Sequence, residues 1–305
     1  MVNENKKWFK SGLKMKGIIL AGGRATRLFP STLVTSKQLL PIYNKPLIYY
    51  PLSTLMMAGI REILIISNPN NLSLFKELFR DGSHLGINIE YQSQNKPSGL
   101  ADAFIVGEEF LEGENSALIL GDNLFFGNAF HKSLEKVEHQ KDGALIFAYR
   151  VEAPSAYGVV EFDKGYNVIS IEEKPEDPKS NFAVPGLYFY DSHVIEYAKS
   201  LKPSPRGELE ITDLNNIYLR DGSLRVSKMR SGSTWLDAGT FDSLTDASNF
   251  VRTIENRQGI ILGSPEAVAI INKWTDRERI TKRLSSYPES STYKSYIMEL
   301  LGEQD

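Results

Sequence analysis

The chain has 305 residues, 24% of them charged, with 35 Lys and Arg against 38 Asp and Glu, a formal net charge of -3 and no cysteine. Without Cys there can be no disulfide framework, thiolate-held zinc, iron–sulfur cluster or thiol catalysis, and the near-balance of charge gives no overall pull toward nucleic acid or an anionic membrane. The four histidines, His84, His131, His139 and His193, lack HxH or HxxxH spacing and argue against an imidazole metal site or a His-based catalytic centre.

Residues 1–14 are charged and lack the apolar stretch of a signal peptide, and no later run approaches the roughly 20 apolar residues of a membrane span. The expected location is the cytoplasm, with residues 1–14 a flexible extension ahead of Met15. From residue 16 to about 151, β-branched apolar runs at 17–20, 63–67, 87–91, 117–120 and 144–150 alternate with helical patterns at 46–58, 72–80, 100–110 and 129–138. That alternation predicts an α/β fold: a Rossmann-like mixed, mostly parallel sheet flanked by helices. Further strands are expected at 159–162, 168–171, 186–190 and 224–228, and a helix at 209–220. Beyond residue 243 the pattern is helical, at 244–256, 265–273, 276–284 and 292–301. These helices read as a terminal addition packed on the sheet or on a partner subunit. No repeat or linker divides the chain.

The first predicted strand runs into Ala21-Gly22-Gly23-Arg24-Ala25-Thr26-Arg27-Leu28. At the carboxyl end of a parallel strand, such a turn lets backbone N–H groups approach phosphate oxygens, and Arg27 adds a guanidinium. It is neither GxGxxG nor a P-loop, and a plain tight turn with a solvated arginine is the competing reading. Lys37, in Ser36-Lys37-Gln38, can bring a second cation to the same phosphates. Asp122 of Gly121-Asp122-Asn123 and Asp237 of Trp235-Leu236-Asp237 both follow apolar strand-like runs. Two such carboxylates suffice for Mg2+, which completes its octahedron with water and substrate oxygens; capping of a following helix is the simpler alternative for Asp122. Glu172-Glu173-Lys174-Pro175 offers a lysine to a second anionic substrate and an acid to hydroxyls, and Arg206-Gly207-Glu208-Leu209-Glu210-Ile211-Thr212-Asp213 opens a helix with dense charge, though surface ion pairing accounts for most clusters of this kind. Gln94 and the later Gly99 lie in a loop where an amide and a backbone group can meet a base edge.

These segments, in this order, resemble the sugar-phosphate nucleotidylyltransferases, most closely the thymidylyl-transferring branch of bacterial deoxysugar (dTDP-rhamnose-type) synthesis. The likeness rests on 16–28, 36–59, 99–104, 121–127, 157–162, 172–175, 206–215 and 235–240. It implies one nucleotidyltransferase domain over 15–305: a nucleotide-binding core to about 150, a sugar-binding part over 151–242 and the helical addition over 243–305. It further implies Mg2+-dependent transfer of a thymidylyl group from dTTP to glucose 1-phosphate in a homotetramer, with neither nucleic acid nor membrane as partner. UTP in place of dTTP, or a catalytically weak regulatory homologue that binds nucleotide sugar, are the alternatives. In this resemblance Gly22, Gly23, Ala25 and Thr26 cradle the nucleotide, Arg27 and Lys37 hold the phosphates, and Gln38, Gln94 and Gly99 read the deoxynucleoside. Asp122 and Asp237 hold Mg2+, and Asn123, Tyr157, Gly158, Glu173, Lys174, Val184, Arg206 and Trp235 surround glucose 1-phosphate. The catalytic set is Arg27, Asp122 and Lys174. One departure stands out: Arg24-Ala25 replaces the usual Ser/Thr-Gly. If position 25 requires a positive φ, alanine costs about 1–2 kcal/mol there, while Arg24 offers a compensating cation.

Overall fold

The computed structural model describes residues 15–23, 25–134, 137 and 142–302. The extension expected at 1–14, the cation Arg24 and part of the helix expected at 129–138 lie outside the described residues.

β1 (Met15–Ala21) leads through the glycine turn to a short hairpin, β2 (Pro41–Ile42) and β3 (Lys45–Pro46), and then to α1 (Tyr49–Met57). Next come β4 (Glu62–Ser67), α2 (Pro69–Phe79) and β5 (Asn88–Ser93). Where the periodicity predicts one helix over 100–110, there are two, α3 (Asp102–Val106) and α4 (Glu108–Leu111). The break falls at Gly107, packed so closely on the sheet that a Cβ would lie 3.1 Å from Ile18 and 3.2 Å from Leu64. β6 (Asn115–Leu120), β7 (Asn123–Phe126), α5 (Asn128–Leu134) and β8 (Ala144–Arg150) follow. The next stretch holds β9 (Gly158–Phe162), β10 (Val168–Glu173), β11 (Phe182–Ala183), β12 (Leu187–Tyr190) and α6 (Val194–Ser200). After these come α7 (Ile211–Arg220), β13 (Leu224–Lys228), β14 (Thr234–Asp237) and α8 (Phe241–Gln258). The chain ends on α9 (Pro265–Ile271), α10 (Arg277–Leu284) and α11 (Thr292–Gly302).

Among the described residues one ten-stranded sheet runs β10-β9-β11-β8-β12-β6-β1-β4-β5, with β13 beside β8. β1 is parallel to β4 and β6, and β4 to β5, whereas β12 is antiparallel to both β6 and β8. The parallel strands are apolar on both faces, as strands covered twice must be. Ile19, Ile63, Ile65 and Ile119 enter one core, and Ile18, Leu64, Ile66 and Leu118 enter the other.

A third apolar cluster joins the β2–β3 hairpin to α8 through Ile42, Leu47, Val251 and Leu262, and contains Leu124 and Ala238 beside the strand ends. A buried ion pair crosses it. Lys45 Nζ donates to Glu255 Oε1 at 2.8 Å and to Asn44 Oδ1 at 2.8 Å, while Asn44 Nδ2 and the Leu262 N–H also donate to Glu255. Burial holds the Lys45 ammonium below its usual range, against the opposing pull of Glu255. The terminal helices pack on α1 of their own chain: the Tyr49 ring meets Tyr293 edge-on at 6.2 Å, and Gly86 lies so close to Trp274 that a Cβ would strike its carbonyl.

Candidate active site

The carboxyl ends of the parallel neighbours β1 and β6 lie side by side, and the crevice beyond such ends is where open parallel sheets hold ligands. Leaving β1, the chain turns at Gly22 and Gly23, and Ala25 adopts a left-handed backbone with φ 44 and ψ 40. The condition raised by the sequence is therefore met, and the alanine bears the Cβ strain of that region. The Ala25 carbonyl accepts from the Leu28 N–H at 2.9 Å and from Thr32 Oγ1 at 2.9 Å, which fixes the turn ahead of the 3-10 segment Thr26–Leu28.

Arg27 reaches back across the crevice. A Cβ on Gly239 would lie 3.3 Å from its guanidinium and 3.1 Å from Asp237 Oδ2, so the two groups flank this glycine closely. Asp237 Oδ1 accepts from the Tyr157 hydroxyl at 3.0 Å. Burial and the Asp237 carboxylate push that hydroxyl up to about 12, so it remains a donor at neutral pH.

Lys37 Nζ forms an ion pair with Asp122 Oδ2, and Asn123 Nδ2 donates to Asp122 Oδ1 at 3.0 Å. Burial works against ionisation of Asp122, but the adjacent Lys37 ammonium and these hydrogen bonds outweigh it and hold the carboxyl below the usual carboxylate range. Asp122 precedes a strand, so helix capping is not its role. Gln38 is buried with its Cγ against Gly121, and its side-chain oxygen accepts from Ser36 Oγ. Asn123 Oδ1 accepts from the Gly186 N–H at 2.9 Å and from Trp235 Nε1 at 2.7 Å. Those bonds link the Asp122 side of the crevice to the opposite wall.

That wall is built by β9, β10 and the loop before α7. Glu173 Oε2 accepts from Thr212 Oγ1 at 2.6 Å, and Glu173 Oε1 lies 3.6 Å from both Lys174 Nζ and Arg206 Nη2. Lys174 has a left-handed φ of 45, costly for a residue that bears a Cβ, and its N–H is tied to the Tyr157 carbonyl at 3.0 Å. Val184 backs Gly158, whose carbonyl accepts from the Val184 N–H at 2.8 Å. Tyr157 and Trp235 meet edge-on at 5.0 Å. The helix expected from 209 starts at Ile211, leaving residues 206–210 as a loop. Arg206 grips Glu210 there at 2.9 Å, and Glu210 is buried, not a member of a solvated surface pair.

Gln94 lies at the other end of the first loop, its Nε2 donating to Asp102 Oδ2 at 2.7 Å and its Oε1 facing Gly22. Gly99 owes its identity to packing: at φ +106, a Cβ would sit 2.3 Å from the Leu209 carbonyl oxygen. The sequence singles out Glu210 and Thr212 only as parts of a charged stretch and assigns no role to Asp102 or Gly239. Glu210 and Thr212 fall in or beside the charged stretch that begins at Arg206, yet nothing in their spacing distinguishes a buried bracket from a solvated ion pair.

Among the described residues no group of three or more His, Cys, Asp or Glu side chains could hold a metal ion. Asp122 and Asp237 form a two-carboxylate set brought together by the pairing of β7 with β14, where Asp237 lies opposite Asn123 and the Ala238 N–H donates to the Asp122 carbonyl at 3.1 Å. Two hard oxygen donors fit Mg2+, which retains water and substrate oxygens; the set does not fit zinc, which prefers nitrogen or sulfur ligands.

Residues 16–254 match the family described as nucleotidyl transferase. The chain belongs to this family. Two relatives named glucose-1-phosphate thymidylyltransferase are similar to this nucleotidyl transferase over nearly its whole length. The one from Mycolicibacterium smegmatis is 53% identical over 290 residues, covering 95% of this chain and 100% of the relative. The one from Neisseria gonorrhoeae is 51% identical over 289 residues, again covering 95% and 100%. Among solved structures, a Bacillus anthracis protein described as a glucose-1-phosphate thymidylyltransferase, in complex with sucrose, matches with TM-score 0.73 and 42% identity over 78% of this chain and 95% of its own. A UDP-glucose pyrophosphorylase complexed with UDP-glucose matches with TM-score 0.69 and 26% identity over 78% of this chain and 98% of its own. The family match ends within α8, so the three terminal helices of this nucleotidyl transferase lie outside it.

Proposed function

We propose that this nucleotidyl transferase moves a thymidylyl group from dTTP to glucose 1-phosphate, releasing pyrophosphate. The observation that carries the reading is one hydrogen-bonded path across the crevice: Lys37 to Asp122 to Asn123 to Trp235 joins the phosphate-side cations to the wall of Tyr157, Glu173, Lys174 and Arg206. Relatives that bear this activity in their names align along the same length of chain.

In the proposed reaction a phosphate oxygen of glucose 1-phosphate forms a bond to the α-phosphorus of dTTP as the bond to the β-phosphate oxygen breaks, and the electron pair leaves on pyrophosphate. The attacking oxygen is already ionised, so no general base is required. Lys174 and Arg206 hold the nucleophile's phosphate, while Arg27 and Lys37 neutralise the triphosphate and the departing charge. Gly22, Gly23, Ala25 and Thr26 approach the phosphates through backbone N–H groups, and Gln38, Gln94 and Gly99 border the deoxynucleoside. Val184, Gly158 and Glu173 shape the sugar pocket, where Glu173 accepts from sugar hydroxyls. Asp122 and Asp237 would hold Mg2+, which when bound supplies charge neutralisation on phosphate oxygens.

Pyrophosphate release with glucose 1-phosphate, measured against a panel of nucleoside triphosphates with and without Mg2+, tests this. Release selective for dTTP and dependent on Mg2+ is expected. Selectivity for UTP would make the protein a uridylyltransferase, and tight nucleotide binding without release would make it a regulatory homologue. We further infer a cytoplasmic homotetramer; a monomer by light scattering would remove the assembly. Among the described residues no helix is long and apolar enough to cross a membrane.

A further inference from the structure

Gln94 presents a chemical ambiguity that its neighbour removes. A glutamine amide is nearly symmetrical in shape, and a half-turn about its last torsion exchanges a donor for an acceptor. Here the carboxylate of Asp102 lies 2.7 Å from Gln94 Nε2. A carboxylate only accepts, so the NH2 group must face it. Oε1 is left pointing the other way, toward the first glycine loop, where a Cβ on Gly22 would come within 3.5 Å of it.

Both partners are held from behind. The Gln94 N–H donates to the Ser67 carbonyl at 2.8 Å, anchoring its loop at the end of β4. Asp102 opens α3 directly after a turn in which the Leu209 N–H donates to the Ser98 carbonyl at 2.7 Å and the Ala101 N–H donates to the Leu209 carbonyl at 3.2 Å. The backbone of Leu209 thus pins the segment from which the carboxylate projects.

We propose that Asp102 is a specificity-determining positioning residue: it fixes Gln94 with its acceptor toward the base, so the site selects pyrimidines that carry N3–H and rejects cytosine. Thymine and uracil offer a donor at N3, whereas cytosine offers a lone pair there, and two acceptors face to face leave both unpaired. A site arranged around one hydrogen bond discriminates strongly against an analogue that cannot make it. The proposal rests on the nucleotidyl-transfer reading for the identity of the ligand. Asp102 makes no contact with substrate in this role; it acts through Gln94.

The test compares dTTP with dCTP, which share the deoxyribose and triphosphate, in the wild type, Asp102→Asn and Asp102→Ala full-length proteins. Affinity is measured by calorimetry and turnover by pyrophosphate release with glucose 1-phosphate. The amide introduced in Asp102→Asn can donate to Gln94 Oε1 and let the glutamine turn over, so the dTTP-over-dCTP ratio is expected to fall at least tenfold in that variant. It falls in Asp102→Ala as well, where nothing holds the Gln94 amide. A merely structural role would lower both nucleotides together and leave the ratio alone. Ratios within threefold of wild type in both folded variants overturn the proposal. Absence of pyrophosphate release by the wild type overturns the reaction instead, and the calorimetric ratio still decides the role of Asp102. Wild-type protein that binds neither nucleotide overturns both.

Discussion

Ala25 is the residue most at odds with its own backbone. Its φ of 44 places a Cβ against the neighbouring carbonyl, and the gain from relieving that clash exceeds glycine's added chain entropy. Ala25→Gly should therefore raise stability by about 0.5–1 kcal/mol, read as a higher urea midpoint; a lower midpoint would show that the turn does not constrain position 25. At the reacting centre the expected effects are much larger. In the proposed reaction Arg27, Asp122 and Lys174 each place a charge for the transition state, so Arg27→Ala, Asp122→Ala and Lys174→Ala should each lower kcat/KM by roughly 100-fold or more. Near-unchanged turnover in all three would dismiss the electrostatic mechanism. As candidates, Asp122, Asp237 and Lys174 are legible in the sequence because each stands at or just beyond the end of a strand, and Arg27 because it follows the glycine turn after β1. Asp102, Glu210 and Thr212 are not, because their significance lies in what they touch across a loop. A charged residue that orients another side chain carries no periodicity of its own.

At the scale of elements, strand positions read almost directly from β-branched runs, since the parallel strands are buried on both faces. The two-residue strands β2, β3 and β11 and the β7–β14 pair leave no such trace: they are too short for a pattern, and the β7–β14 pairing is long-range. The β2–β3 hairpin follows the segment that carries Lys37, and it is attached to α8 by the third apolar cluster and by the Lys45–Glu255 pair. Glu255→Ala leaves an uncompensated ammonium in an apolar cluster and should cost about 3–5 kcal/mol. The double change Lys45→Met with Glu255→Leu should recover most of that loss in urea denaturation; no recovery would mean that the pair's extra bonds to Asn44 and Leu262 dominate. The 3-10 segment Ser83–Leu85 meets the terminal helices through His84, whose carbonyl accepts from Thr275 Oγ1 at 2.7 Å. Burial, reinforced by Arg283, lowers the His84 imidazole to about 4. The unfolded chain therefore binds the extra proton first as pH falls. The stability contribution of a neutral His84 is complete above about 6.5 and is lost down to about 4. Wild type measured against His84→Gln should lose relative stability across that window and show a constant difference above it. A difference that is flat throughout would refute the assignment.

On the scale of the whole molecule, the terminal helices are part of the core and not an appendage. Tyr293, Ile297, Leu301, Ile270 and Leu284 are buried in the same cluster as Tyr49 and Phe79 of the opening βα units. The helical periodicity announces these elements without saying which surface they cover, because an amphipathic face names no partner. Deleting residues 265–302 would expose that surface, at about 1.5–3 kcal/mol for each large side chain uncovered. The shortened chain should bind a hydrophobic dye and lose cooperative unfolding; an unchanged urea midpoint would show that the helices are dispensable.

The buried pair between Lys45 and Glu255 also has a meaning in time. Its members are 210 positions apart in the chain. A ribosome adding 5–20 residues per second separates their appearance by about 10–40 s. Throughout that interval the nascent chain carries a lysine that its finished interior will enclose but cannot yet neutralise, so the hairpin beyond Lys37 cannot settle. Nor can Asp122 acquire its companion carboxylate until β14 has been made. A chain interrupted before β14 thus has most of the sheet, but neither the glutamate that meets Lys45 nor the second carboxylate of the candidate site.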